Sequence, residues 1–168
     1  PCSSGVPLQR HYRYSMIKGI PVSDLGGGVS EDILRKLQSD GIKTVKAWGL
    51  SYNNDLPGGG RNSKTWEKLN VGDKVIFYGS KKLFSHGVVL SKFKNRPLAE
   101  MWWGRDSKGN TWDLIFLIKD LVETDVQWNP ARMGYGDKHV VQGATLYDLS
   151  GSKGQELWQM LLEGQKQK

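Results

Sequence analysis

The stretch PGGGRNSKTW, residues 57–66, sets three glycines ahead of Arg61, Ser63, Lys64 and Thr65. Glycines beside a Lys-Ser/Thr pair are what a triphosphate-gripping loop requires, so nucleotide hydrolysis is the first chemistry to consider. The spacing does not support it. A P-loop needs G-x-x-x-x-G-K-[ST] after a buried strand. Counted from Gly58, the sixth position is Ser63, and the polar run SYNNDLP before the loop cannot be that strand. Without the sixth glycine the backbone cannot turn its amides onto a phosphate. Two readings stay open. One is a surface loop that ends in a helix cap. The other is a loop whose Arg61, Lys64 and helix-start amides touch a nucleic-acid backbone.

Other catalytic signatures fail as well. There is no G-x-S-x-G elbow and no H-E-x-x-H pair. The single cysteine, Cys2, has no histidine at metal-ligand spacing, and His11, His86 and His139 are scattered. Carboxylates form no readable pair. No catalytic residue, no metal and no cofactor are expected.

The chemistry that does stand out is aromatic and basic. Seven tryptophans, six tyrosines and four phenylalanines accompany 24 Lys and Arg against 17 Asp and Glu, a net charge of +7. Such a surplus gains by displacing counterions from phosphates, and rings beside cations suit base stacking. The plain alternative is a basic protein whose aromatics are all core. With 168 residues and 38% hydrophobic content, one domain with a sizeable core is expected. No apolar run approaches the roughly 20 residues of a membrane span. No signal peptide is visible, and one cysteine suits a reducing compartment, so a cytoplasmic location is expected. The chain opens at Pro1, without a methionine, and is read as a fragment of a longer protein with partner domains.

The elements that must position these residues follow from periodicity. Alternation over 12–20, YRYSMIKGI, predicts a strand. Ser30 as N-cap, Glu31 and Asp32 in the first turn and Gly41 as terminator predict a helix. TVKAW (44–48) predicts a strand, and 63–69 a short helix with Trp66 and Leu69 inward. Strands are expected at 73–79 and 86–93, and again at LAEMWW and TWDLIFLI, joined by the turn GRDSKGN. Residues 120–138 read as irregular, HVVQGATLYDL as a last strand, and GQELWQMLLEG as an amphipathic helix. The class is α+β: an antiparallel or mixed sheet that closes into a small barrel, with flanking helices. Positions 1–11 are expected to be a loose lead, 12–164 one domain and 165–168 a tail.

The order of several short motifs resembles the EVE and YTH domains of the PUA-like superfamily. It runs from Met16-Ile17-Lys18-Gly19 through a helix to VKAWGLSYNN. Trp66-x-x-Leu69-x-x-Gly72-Asp73-x-Val75-x-Phe77-Tyr78 and HGVV follow. The resemblance spans residues 12–147. It implies a small barrel that binds nucleic acid carrying a modified, typically methylated, base turned out into an aromatic pocket. Related domains stand at the N-terminus of McrB-type restriction GTPases, where they recognise methylated DNA. DNA is therefore favoured over RNA, with associated NTPase and nuclease subunits as further partners. Gly19-Ile20-Pro21 stands where YTH domains carry base-reading asparagines, so the base, N6-methyladenine included, is left open. A methylated-RNA reader, a small hydrolase acting on a modified nucleotide and a protein-interaction domain are the rival functions.

By the same resemblance Trp48 matches a pocket tryptophan, with Gly49 and Leu50 giving backbone contacts. Tyr52 and Asn53 are candidates for a base edge. Trp102 and Trp103, adjacent on an expected strand, would face opposite sides, one in the core and the other, with Trp103 preferred, as second pocket ring. Trp112 would pair across the hairpin. Trp66, Phe77 and Trp158 are assigned to the core. Phosphate contacts are expected from Lys81, Lys82, Lys92, Lys94 and Arg96, a run without acids, and from Arg61 and Lys64, with Arg10 and Arg13 in second rank. A lysine-guarded edge strand would look the same.

Overall fold

The computed structural model describes residues 6–52, 57–79, 81–127 and 151–165. Five strands form one sheet: β1 (Ile20–Pro21), β2 (Thr44–Leu50), β3 (Lys74–Gly79), β4 (Lys82–Lys94) and β5 (Leu114–Gln127). Their spatial order is β1-β2-β5-β4-β3, and every pairing among the described residues is antiparallel. Helices α1 (Val6–His11), α2 (Glu31–Ser39), α3 (Gly60–Lys68), α4 (Arg96–Trp103) and α5 (Ser152–Gln165) flank it. The α+β class expected from the sequence is the one observed. The expected last strand, at 139–149, lies outside the described residues.

β5 is the organising strand because its side chains alternate between two cores. Ile115 and Leu117 pack with Val45, Ala47, Leu37, Ala99, Trp102 and Trp103 on one face. Leu114, Phe116 and Ile118 pack with Trp48, Leu50, Met16, Leu69 and Phe77 on the other. Trp48 pairs with Phe116 and Gly49 with Ile115, so the two-residue period of β2 is in phase with that of β5. A third cluster, Leu83, Val126, Leu157 and Leu161, docks α5 on the far end of β4 and β5.

Four sequence expectations change. Tyr12–Lys18 is not a strand but a π-helical continuation of α1, with Ser15 and Met16 buried. The alternating rings that mimic a strand here instead present Tyr12 and Met16, one wide turn apart, to the second core. Val6–His11 is helical where a loose lead was expected. LAEMWW belongs to α4, because Asn95 accepts a hydrogen bond from the Leu98 amide (3.0 Å) and Pro97 starts the helix. No hairpin therefore joins it to TWDLIFLI. Finally β5 continues to Gln127, through residues expected to be irregular. α2 begins where Ser30 was expected to cap it, although the hydroxyl makes no capping bond.

Candidate nucleic-acid interface

The change at α4 reorganises the tryptophans. Trp102 and Trp103 sit on one helix, both buried, with ring centroids 5.5 Å apart and nearly perpendicular. They share a core with half-buried Trp112, whose ring stands edge-on to His11 at 4.3 Å. Trp48 points to the opposite face of the sheet, 6% exposed, between Tyr12 (6.1 Å) and Phe77 (5.6 Å). Hence the structure does not bring the expected ring pair together: β2 and β5 stand between Trp48 and Trp103. The strand geometry expected for Trp102 and Trp103, and a hairpin partner in Trp112, are both replaced by core packing. Gly49 is where the two faces approach, since Trp103 lies directly over it.

The Trp48 face is rimmed by half-buried rings. Tyr12, Tyr52, Trp66 and Phe84 all pack at the margin of that core. Tyr12 donates its hydroxyl proton to Ser85 Oγ at 2.7 Å. Trp66 donates its indole N–H to the Ile115 carbonyl at 3.3 Å, which fixes the roll of α3 against the sheet. Asn62 ties the start of α3 to the end of β2 through the Ser51 carbonyl and hydroxyl, each 3.2 Å away. Tyr52 follows β2, its amide held by the buried Asp113 carboxylate at 3.2 Å. The Gly59 backbone, at φ +76°, closes so tightly on the Tyr52 ring that no Cβ fits. The glycine cluster thus serves an aromatic ring and the entry to α3. Asn53 lies outside the described residues.

The lysine run along β4 is largely occupied by the protein itself. Lys92 Nζ donates to the Trp66 and Glu67 carbonyls, both at 3.0 Å, and lies 4.8 Å from the Trp66 ring. It therefore caps the C-terminal end of α3, where helix carbonyls lack partners. Lys82 pairs with Asp125 at 2.7 Å. Arg96 holds Glu100 (2.7 Å) and the Gly109 carbonyl (2.9 Å), and Arg105 shares Glu100 at 2.8 Å. The two guanidinium hydrogen bonds, Arg105 first, keep the Glu100 carboxyl below its ordinary range. Lys94 is exposed and sits 3.8 Å over the Tyr52 ring. Lys81 is exposed in the turn before β4 at φ +62°, and Arg10 and Arg13 are exposed on the N-terminal helix and its continuation.

Arg61 and Lys64 have a different setting. With Gly60, Thr65 and Lys68 they line an open groove of about 440 Å³ on the outer side of α3. Lys68 was not singled out from the sequence, although its spacing of four from Lys64 and seven from Arg61 is a helical signal. Among the described residues no group of three or more His, Cys, Asp or Glu could hold a metal, and no helix is long and apolar enough to cross a membrane.

No family model matches the sequence, and no curated protein matches it. The fold, however, is similar to that of a solved structure, the N-terminal domain of Thermococcus gammatolerans McrB bound to m5C DNA. The TM-score is 0.65 at 16% identity, over 95% of each chain. The chain has the fold of that McrB domain, as the order of motifs along the sequence led one to expect.

Proposed function

We propose that this chain is a DNA-binding domain that recognises a modified, methylated base, as the targeting part of a McrB-type restriction system. The observation that supports it best is the fold held in common, over nearly the whole of both chains, with a domain bound to m5C DNA. The net charge of +7 suits a polyanion. On this reading the module itself carries no catalysis, and hydrolysis and cleavage belong to associated NTPase and nuclease subunits.

The Trp48 face is the better side for an unstacked base. Its rim carries four half-buried rings, Tyr12, Tyr52, Trp66 and Phe84, against three, Tyr14, Phe93 and Trp112, on the other core; Trp48, Trp102 and Trp103 are all buried. Turning out a base costs a few kcal/mol, and each stacked ring returns roughly 1–3 kcal/mol. Two or three rings are therefore needed; Trp48, Tyr52, Tyr12 and Trp66 are the candidates, and stacking on Tyr52 requires Lys94 to leave its ring. Gly49, Leu50 and Asn53 would add backbone and edge contacts.

Fluorescence anisotropy against methylated and unmodified DNA duplexes, with matched RNA duplexes, tests the proposal. Wild type should prefer methylated DNA. Tyr52→Ala and Trp48→Phe should erase the preference, while Trp103→Phe, across the sheet, keeps it. Equal affinity of wild type for methylated and unmodified duplexes would overturn the reading, and a preference for RNA would favour the RNA-reader alternative.

A further inference from the structure

We infer that the outer face of α3 is the track for the phosphate backbone of one DNA strand, carried by Arg61, Lys64 and Lys68. The inference rests on the DNA-binding reading above and assigns its electrostatic contact to a surface other than the β4 lysine run.

At about 100° per residue, Arg61, Lys64, Thr65 and Lys68 fall within one arc of about 100°. Ser63, which is buried, and Trp66, whose indole is bonded to the sheet, occupy the opposite side. The helix is therefore pinned by one face and presents a wholly basic and hydroxylic stripe on the other. Arg61, Lys64 and Lys68 are exposed there, along the groove that they line. Glu67, the one acid of α3, lies off the stripe and accepts a hydrogen bond from Ser63 (3.3 Å).

Length and polarity agree with the assignment. Seven residues of helix rise about 10 Å, comparable to the axial rise of about three base pairs of duplex. Gly60, at φ +75°, begins the groove without a side chain, so a strand can approach the first turn closely. At the other end Lys92 covers the Trp66 and Glu67 carbonyls, which would otherwise repel a phosphate near Lys68.

The test is a salt titration of DNA affinity. Each phosphate contact adds about 0.9 to the log–log slope. The triple variant Arg61→Gln/Lys64→Gln/Lys68→Gln should therefore lower the slope by about 2.7, and should weaken methylated and unmodified duplexes equally, because phosphate contacts carry no base information. Lys82→Gln/Arg96→Gln should leave the slope unchanged. All three substitutions are on the surface, and an unchanged thermal midpoint checks folding. A triple variant that binds DNA with the wild-type slope overturns the inference and leaves the base-recognition reading standing. A wild type that binds no DNA overturns both.

Discussion

Trp103 rests on Gly49: a methyl group at that glycine would stand 2.6 Å from Trp103 Cζ3 and closer still to the Trp112 carbonyl oxygen. One obstacle is a ring in a packed core and the other is backbone, so neither yields cheaply. Gly49→Ala should cost about 2–3 kcal/mol, the upper part of the overpacking range, read as a lower urea midpoint. Shrinking the ring in Gly49→Ala/Trp103→Leu should not restore stability, because the Trp112 backbone still blocks the methyl.

Lys92 holds the C-terminal carbonyls of α3, so its loss is a folding effect before it is a binding effect. Lys92→Met keeps the apolar stem and removes the donors. A destabilisation of about 1 kcal/mol is expected from the lost hydrogen bonds, with no change in the salt slope for DNA. A fall of the slope by one unit would mean that this ammonium meets a phosphate after all.

Acid should loosen the molecule below neutrality. Burial holds the His86 imidazole below its ordinary value of 6.5, and the nearby Lys74 adds to the effect. His11 is likewise lowered, chiefly by burial; a hydrogen bond to the Trp103 backbone opposes this, and Arg10 reinforces it. The unfolded chain then binds protons that the folded chain refuses. The stabilisation is complete above 6.5 and is lost as pH falls from there through the lowered folded-state values. Thermal midpoints between about pH 7.5 and 5 should decline, and His86→Gln should make the decline shallower. His86 packs on Trp158 at 4.8 Å and meets Gln165, so loosening should begin at α5.

Tyr12 secures the π-helical segment to β4 through buried Ser85. Tyr12→Phe keeps the ring contacts with Trp48, Phe77 and Phe84 and leaves that hydroxyl without its donor. Chemical denaturation should show a loss of about 1 kcal/mol. If recognition uses the ring alone, affinity for methylated DNA should not change.

Much of the architecture was legible residue by residue. Alternation marked β2, β3 and the start of β5, while Ser30 and Gly41 bracketed α2 correctly. α4 was misread because Trp102 and Trp103 carry strong strand propensity, yet Asn95-Arg96-Pro97 already spelled a cap and a first turn. The π-helix left no comparable mark, since its wider turn brings Tyr12 and Met16 together by tertiary packing, not by a local signal. The basic surface was half visible: the run Lys81 to Arg96 stands out in sequence, but only coordinates reveal that Asp125, Glu100 and the carbonyls of α3 already engage Lys82, Arg96 and Lys92. Spacing along α3 would have exposed Lys68.

The shared strand β5 also bears on how such a module can change. Since Leu114 and Phe116 serve one layer and Ile115 and Leu117 the other, substitutions on the two sides have few neighbours in common. On the proposed reading, the side behind α4 can stay constant as a scaffold while the side behind Trp48 drifts toward a new target. Specificity can then diverge among relatives too distant for their sequences to align, with the framework left intact.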